Sequence, residues 1–433
     1  MESDNRGNRE TAVEAPDDYV TRVFESPARV PAADWDALLE READPSPFLR
    51  HAYLAALHES GCARPAAGWQ PRFVTLWRGD TLEAACPLYL KNHSYGEYVF
   101  DWAWANAYEQ HGLSYYPKAL VAVPFTPVPG ARLLARDDAA RAALLQDLLR
   151  FAQEEDLSSL HLLFLQPPDV RACEAAGLML RHTVQFHWEN EAPTLLRDAG
   201  RCPPGGREFS LGRPGAEFKA PTLPAAQGWL DFEHFLASLQ QDKRKKIRQE
   251  RRKVAEAGVA FRHAQGPDIT ESDWDFFYRC YERTYLEHGN PPYLNRAFFA
   301  RMARDMPENW LLFVAERDGR PLASSLIGLD PGRGVAYGRY WGALERVDCL
   351  HFEACYYQPL QWCIEHGYRR FEGGAQGEHK MARALLPVRT TSAHWLAHPA
   401  FADAVQRFLA REGEGIDSYL EQLAHRSPLR APG

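Results

Sequence analysis

The 433-residue sequence contains no apolar run long enough to cross a bilayer, which takes about 20 residues. Its longest uncharged stretch, residues 119–131, is interrupted by Pro124, Pro127 and Pro129. The first residues, MESDNRGNRETAVEAPDDY, have neither the apolar core of a secretory signal nor the basic character of a transit peptide. The eight cysteines form no CxxC pair, so neither a zinc framework nor a disulfide framework is indicated. We therefore expect a cytoplasmic protein with reduced thiols and no metal.

An excess of positive charge is also missing. Fifty Lys and Arg residues face 58 Asp and Glu residues, which gives a net charge of −8. This total gives no reason to expect the whole surface to attract nucleic acid or anionic lipid. A composition of 45% hydrophobic and 25% charged residues excludes a disordered chain, and the length suggests two domains or one large one.

What the sequence does contain is a repeated order of elements. Two apolar strand pairs surround tight turns, at Arg78-Gly79-Asp80 and at Asp318-Gly319. Each hairpin precedes an aromatic-rich strand, a helix and another strand. The predicted ranges are Tyr98–Trp104, Asp137–Glu155 and Leu160–Leu165 in the first half, and Val335–Trp341, His351–His366 and Tyr368–Glu372 in the second. This order predicts two similarly built α/β halves, although chance similarity is the alternative because such parts are common.

Two helices are predicted ahead of the second hairpin. Apolar residues at helical spacing begin at Phe232 and continue until Gly258, which predicts one long helix. A further helix starts at Ser272, with Asp275 as the partner in a capping box.

Positive charge is concentrated in Asp242–Lys253, the run DKRKKIRQERRK, which carries a charge of +6 and leaves −14 for the rest of the chain. Such a concentration indicates a place for phosphates of a nucleotide, coenzyme A, RNA or a lipid head group. The alternative is an ordinary solvated helix face. No aromatic residue interrupts the run, which argues against a platform for stacked bases. The candidate phosphate-binding residues are Lys243, Arg244, Lys245, Lys246, Arg248, Arg251 and Arg252.

A second candidate segment, FEGGAQGEHKMARALLP over 371–387, follows a predicted strand. Its glycines allow a ligand to approach the backbone closely, and its polar residues supply acids, an imidazole and a cation. Open α/β sheets place sites at the carboxyl ends of strands. The alternative is a glycine-rich turn capped by solvated charges. The candidate residues are Glu372, Gly374, Gln376, Gly377, Glu378, His379 and Lys380.

A third candidate is the run YGRYWG at 337–342, with two glycines in an aromatic strand. This composition indicates a bulge or a strand that separates from its neighbour. Backbone N–H groups freed in this way are able to hold an oxyanion, while simple packing of neighbouring bulk is the alternative. We take Arg339, Tyr340 and Trp341 as candidate substrate-binding residues.

Three segments together resemble the FemAB-like predicted N-acyltransferases of the GNAT superfamily, which are described as peptidoglycan biosynthesis or recognition proteins. They are LASLQQDKRKKIRQERRKV, LHFEACYYQPLQWCIEHGYRRFEGGAQGEHKMARALLP, and PLYLKNHSYGEYVFDWAWANAYE with YYPKALVAVPFTPVPG. The resemblance extends over roughly residues 20–425. It implies two tandem GNAT-like domains, with mixed sheets flanked by helices.

The same resemblance implies roles for individual residues. Fem-type aminoacyl transferases have an aromatic-Lys pair that looks like His379-Lys380, so Lys380 is expected near the transferred acyl group or a substrate phosphate. Their basic helix is similar to Lys243–Lys253. One departure concerns the glycine loop that holds pyrophosphate in acetyl-CoA-binding GNAT enzymes. The corresponding residues here, Ala343–Phe352, contain no glycine.

These observations lead to the hypothesis of an acyltransferase that moves an acyl or aminoacyl group from a thioester or ester to an amine. Glu378, His379 or Glu372 takes the amine proton, and a backbone N–H near Tyr340, helped by Lys380, holds the oxyanion. The donor is acyl-CoA or aminoacyl-tRNA, and the acceptor is a small-molecule or peptide amine. The rival hypothesis is a recognition module that binds peptidoglycan precursor, peptide or RNA without chemistry.

The expected domains follow from composition and from the resemblance. Residues 1–18 form a disordered leader, 19–190 the first GNAT-like domain, 191–227 a Pro- and Gly-rich linker or insertion, and 228–433 the second domain, where we expect the active site.

Overall fold

The computed structural model describes residues 19–191, 228–375 and 377–430, and these residues form one mixed sheet with helices on both faces. The predicted leader, nearly all of the predicted linker, and Gln376 lie outside the described residues. The strands are β1 Val20–Phe24, β2 Gln70–Arg78, β3 Thr81–Lys91, β4 Lys118–Val121, β5 Leu134–Ala135, β6 Ser159–Leu162, β7 Met179–Glu189, β8 Val259–Gln265, β9 Trp310–Arg317, β10 Arg320–Asp330, β11 Val335–Ala343, β12 Arg370–Ala375 and β13 Leu386–Leu396.

The helices pack on the sheet through alternating strand residues. In β9, Leu312 and Val314 lie in one core layer, while Leu311 and Phe313 lie in the layer on the opposite face. The helices are α1 Ala32–Arg41, α2 His51–Glu59, α3 Trp102–Gln110, α4 Asp138–Glu154, α5 Pro167–Ala175, α6 Phe232–Ala237, α7 Gln241–Glu256, α8 Glu271–Glu287, α9 Arg296–Asp305, α10 Leu350–Phe352, α11 Gln358–Glu365 and α12 Pro399–His425, with a π-helical turn Glu353–Tyr357 between α10 and α11.

The predicted duplication is confirmed. In each half an antiparallel hairpin (β2–β3 or β9–β10) pairs with a third strand (β4 or β11). A helix then leads to a strand parallel to that third strand (β6 or β12). The second hairpin turns at Asp318 and Gly319 with φ values of 52° and 71°, as the Asp-Gly pair predicts. The predicted fold class of two tandem α/β halves, with a mixed sheet flanked by helices, is therefore confirmed.

The two halves exchange their last strands. β7, from the first half, pairs with β12 of the second half, and β13, from the second half, pairs with β6 of the first. β7 and β13 also pair with each other along their length, so the sheet order is β1-β2-β3-β4-β6-β13-β7-β12-β11-β10-β9-β8, with β5 beside β3. This exchange joins both halves into one sheet and places the end of β12 next to residues of the first half.

Three details of the predicted elements are wrong. The aromatic segment Tyr98–Trp104 is not a strand, because Tyr98 has a left-handed backbone (φ 65°) and α3 begins at Trp102. The single helix after Phe232 is broken between α6 and α7, where the Gln240 N–H donates to Pro428 O. The capping box of α8 is formed by Thr270 and Asp273 rather than Ser272 and Asp275.

No helix in the described part of the chain is both long and apolar enough to span a bilayer.

Candidate active site

β11 contains both the predicted bulge and the predicted separation from its neighbour. Leu326 of β10 lies opposite Tyr340, and Ile327 lies opposite Gly338, so Arg339 is an extra residue in β11. On its other edge, β11 pairs with β12 only as far as Tyr337, opposite Glu372. Beyond that point the two parallel strands diverge, and the sheet opens in its middle.

A cavity lies on each face of the sheet at this opening. We call the cavity lined by Tyr98, Tyr285 and Tyr337 the tyrosine cavity; its volume is about 260 Å³. We call the cavity lined by His351, Cys355 and Tyr356 the helix-side cavity; its volume is about 140 Å³. Residues Gly338–Tyr340 contribute to both cavities. The tyrosine cavity is also lined by Tyr98, Phe125, Pro127, Val128, Gln185, Tyr285, Tyr337, Glu372 and Gly374, and the helix-side cavity by Ser325, Trp341, His351, Cys355, Tyr356, Phe371 and Gly373.

Glu372 is a buried carboxyl group on the wall of the tyrosine cavity. Its Oε1 lies 3.0 Å from Arg370 Nη2, and its Oε2 lies 3.9 Å from His187 Nε2. Oε2 makes no hydrogen bond within the described residues. Burial raises the pKa of Glu372 to about 8 despite Arg370, and burial lowers the pKa of His187 to about 3. Near neutral pH the cavity therefore has a carboxyl group that gains or loses a proton easily, beside a neutral imidazole.

Arg339 lies in the same cavity among aromatic rings. Its guanidinium carbon is 5.0 Å from the ring centroids of both Phe48 and Tyr340. Its Nη2 donates to Phe125 O at 3.2 Å and to the Tyr340 hydroxyl at 3.1 Å. The bulge thus turns a cation from β11 toward the first half of the chain.

Lys380 is buried beneath the glycine turn that follows β12. Its Nζ donates to Gly373 O at 2.7 Å and to Gly374 O at 3.3 Å. Burial lowers the pKa of Lys380 to about 8. Since Gly373 lines the helix-side cavity and Gly374 lines the tyrosine cavity, the ammonium group contacts the backbone between the two cavities.

Glu378 and His379 lie outside both cavities and are exposed. Glu378 accepts a hydrogen bond from the Tyr419 hydroxyl at 3.2 Å and lies 3.5 Å from Arg426. The His379 ring contacts the Tyr356 hydroxyl at 3.4 Å. The structure therefore brings Glu372, Gly374, Arg339 and Tyr340 together in one cavity. Trp341 is in the other cavity, and Gly377, Glu378 and His379 are in neither.

The basic helix α7 divides into a contacting side and a free side. Arg251 lies 3.1 Å from Glu353 and 3.0 Å from Gln361, and so attaches α7 to the helix that lines the helix-side cavity. Other contacts join Lys243 to Asp242, Arg244 to Ala237 O, and Arg248 to Glu233. Three of the predicted phosphate-binding residues are exposed and have no partner within the described ranges: Lys245, Lys246 and Arg252.

Sequence reasoning missed the residues that reach the site from a distance in the chain. Gln185 belongs to β7, Phe125 follows β4, and Tyr285 belongs to α8. No local pattern marks Gln185, because the strand exchange brings it toward β11. Phe125 lies in the segment YYPKALVAVPFTPVPG, but nothing there singles out this residue. Tyr98 carried a weak signal, since it begins the aromatic-rich segment Tyr98–Trp104.

Within the described ranges no three His, Cys, Asp or Glu side chains form a group suited to a metal ion.

A family model described as FemAB-like, peptidoglycan biosynthesis/recognition, matches residues 26–196 and 221–431. No curated protein matches the sequence. Among solved structures, the chain is similar to FemX (10% identity, TM-score 0.49, covering 89% of this chain and 100% of that one) and to L-PGS from Bacillus licheniformis (11%, 0.49, 89% and 98%). It is also similar to a tandem GNAT protein from the clavulanic acid biosynthesis pathway (12%, 0.42, 88% and 99%).

Proposed function

Because the chain belongs to the FemAB-like family of peptidoglycan biosynthesis and recognition proteins, we propose that it is an N-acyltransferase. It transfers an acyl or aminoacyl group from a thioester or ester donor to an amine. The observation that supports this proposal is the opening between β11 and β12, with one cavity on each face of the sheet. Donor and acceptor enter from opposite faces and meet at Gly338–Tyr340, so much of the acceleration comes from proximity.

The acceptor amine binds in the tyrosine cavity beside Glu372. Its nitrogen attacks the donor carbonyl carbon, the C–S or C–O bond of the donor breaks, and the departing thiol or hydroxyl group takes up a proton. Glu372 accepts the proton that the amine loses, because it lines this cavity while Glu378 and His379 do not. Its pKa of about 8 suits a base that works near neutral pH.

The developing oxyanion lies at the edge of β11 that β12 leaves unpaired beyond Tyr337. Backbone N–H groups at such an edge are able to donate to a negative oxygen. Lys380 supports this geometry indirectly, since its Nζ holds the carbonyl groups of Gly373 and Gly374 at the end of β12. We therefore propose that Lys380 holds the end of β12 in place and does not contact the oxyanion directly.

The donor approaches on the helix side. α7 is attached by Arg251 to Glu353, in the same helical segment as Cys355 and Tyr356 of the helix-side cavity. The exposed cations Lys245, Lys246 and Arg252 suit donor phosphates outside this cavity. The loop Ala343–Phe352 has no glycine, so it does not fit the pyrophosphate cradle of an acetyl-CoA enzyme. Because acyl-CoA and aminoacyl-tRNA both carry phosphates that these cations could bind, both are donors to test.

The test is product detection by mass spectrometry after incubation with acyl-CoAs or charged tRNAs and a mixed amine pool. Glu372→Gln is expected to lower the rate about 100-fold or more. Glu378→Gln is the matched control, because it removes a carboxylate of the same segment from outside both cavities, and it is expected to leave the rate unchanged. Tight binding of a peptidoglycan precursor, peptide or RNA with no acylated product from any donor would instead establish a recognition module.

A further inference from the structure

The charge of Arg339 is unbalanced in its surroundings. No carboxylate of the described residues lies within ion-pair distance of its guanidinium group. Its Nη1 makes no hydrogen bond to any described residue, and its Nε is buried without one. The contacts that Arg339 does make are to a backbone carbonyl, to hydroxyl groups and to aromatic rings, none of which carries a negative charge.

Two buried arginines of the chain have carboxylate partners, whereas the buried Arg132 donates only to backbone carbonyl groups. Arg141 lies 3.1 Å from Glu42 and 2.8 Å from Asp169, and Arg383 lies 2.8 Å from Glu250. A cation removed from water without a partner is costly, because the attraction of a nearby anion is needed to offset its lost hydration. Arg339 is half-buried and lines a cavity, so a ligand bound there is able to supply an anion to it.

The cavity itself restricts that ligand. Its volume of about 260 Å³ is below the range of roughly 300–1,000 Å³ that drug-sized molecules occupy, so it suits a group the size of one amino-acid residue. Its wall also carries Glu372, which is placed to accept a proton from the amine of such a group. A guanidinium group, with its planar fork of N–H donors, matches the planar carboxylate.

We infer that Arg339 binds a carboxylate of the acceptor, so that the amine acylated in the tyrosine cavity is that of a free amino acid or the side-chain amine of a peptide's carboxyl-terminal residue. This inference rests on the proposed function for the identity of the acceptor. The carboxylate lies at Arg339, and the amine lies toward Glu372 and the opening in the sheet. Arg339 is then the residue that selects amino acids over simple amines.

The test measures binding without any donor. Isothermal titration of the full-length protein uses each of the protein amino acids, its α-amide and its decarboxylated amine. Dipeptides that end in lysine, together with their amides, form a second arm. At least one free acid is expected to bind about 10- to 100-fold more tightly than its amide. Arg339→Gln is expected to remove this difference, and Arg339→Lys to keep part of it.

A control variant and the wild type make the outcome decisive. Arg262→Gln removes an arginine that is paired with Asp273 and Glu316 away from both cavities, and it should keep the full difference. If the wild type binds acid and amide equally, or if Arg339→Gln folds and keeps the preference, the inference is overturned, even where transfer to other amines is seen. Selective binding of acids with no transfer from any donor would overturn the proposed function alone. The wild-type comparison stands even if Arg339→Gln does not fold.

Discussion

The protonation of Glu372 is set by its neighbours in the fold. Removal from water favours the neutral carboxyl group, while Arg370 at 3.0 Å favours the carboxylate, and the balance gives a pKa of about 8. The nearby His187 is neutral over the same range, because burial lowers its pKa to about 3. Between about pH 7 and 9, Glu372 is therefore the group on this cavity wall whose charge changes.

This pKa predicts the pH dependence of transfer. The base must be deprotonated, so kcat/KM should rise with pH and level off above about pH 8. The Glu372→Gln variant should lack this rising limb of the pH profile. The measurement is a pH–rate profile with two acceptors whose amine pKa values differ. A limb that moves with the acceptor reports the substrate amine, whereas one that stays near pH 8 reports Glu372. Identical profiles for the wild type and Glu372→Gln would contradict the assignment.

The same pKa predicts a stability difference. A folded-state pKa above the ordinary glutamate value of 4.5 means that the native state binds the proton more tightly than the unfolded chain does. The contribution of Glu372 to stability is therefore fully present below about pH 4.5 and is lost as pH rises through about 8. The free energy of unfolding of Glu372→Gln, relative to wild type, should accordingly increase between pH 5 and 9 by up to a few kcal/mol. Urea unfolding at both pH values measures this change, and a constant difference would contradict it.

Sequence reasoning reached some of these residues and not others. Glu372 and Arg339 could be named because they lie in segments with unusual local composition. Their relative importance could not be predicted, because Glu372 and Glu378 are both acids near the same glycines, and only the direction of each side chain separates a cavity wall from solvent. Gln185 carried no signal, since its role depends on pairing between distant strands. Phe125 lies in a segment that carries the family resemblance, but nothing there singles out this residue.

At the scale of elements, β11 and α8 pack unusually closely where the sheet opens. A Cβ at Gly342 would overlap the backbone of Cys280 and lie 2.9 Å from Thr284 Oγ1. The Thr284 hydroxyl also donates to Trp341 O at 3.0 Å, so α8 is bound to the last part of β11. Glycine at 342 thus permits the close approach that holds β11 in place beyond its separation from β12.

Gly342→Ala is therefore expected to destabilise the protein by roughly 1–3 kcal/mol, because it forces β11 and α8 apart. Denaturant unfolding measures the loss, and transfer activity should fall as well, since Tyr340 is displaced. Gly413→Ala in α12 is the matched control. No described atom outside the surrounding helix backbone lies within 4 Å of the added Cβ there, so the substitution should stabilise the helix by up to about 1 kcal/mol. Equal effects of both substitutions would contradict the close packing.

The elements were predicted best where short-range rules decide the structure. The Asp318-Gly319 turn has the predicted positive φ values, and α4 begins after Asp137, whose carboxylate accepts from the Ala140 N–H. The prediction of a strand at 98–104 was wrong because a longer-range contact decides the structure of this segment. Asp101 there forms a buried ion pair with Lys118, and the chain turns into α3 instead of continuing as a strand.

At the scale of the whole molecule, the exchange of β7 and β13 is the feature that no local pattern predicts. Both strands are 11 residues long, and nothing in their own sequences indicates which strand each will pair with. The sheet joins the two halves by β6–β13 and β7–β12 pairs, and the domain boundaries 19–190 and 228–433 stay a prediction. The tyrosine cavity depends on this arrangement, because Gln185 of β7 and Glu372 of β12 lie on adjacent strands.

The strand exchange predicts that the two halves unfold together. Leu144 of α4 packs in the first half and Leu360 of α11 in the second, and both are fully buried. Truncation to alanine should cost about 2–5 kcal/mol at either site. Because β13 and β7 belong to the sheets of both halves, each loss should lower the hydrogen-exchange protection of β4 and of β9 equally. Leu286→Ala, at an exposed position, is the control and should change neither strand. If Leu144→Ala weakened only β4 and Leu360→Ala only β9, the halves would be independent units, and the cavity between them would not require the exchanged strands.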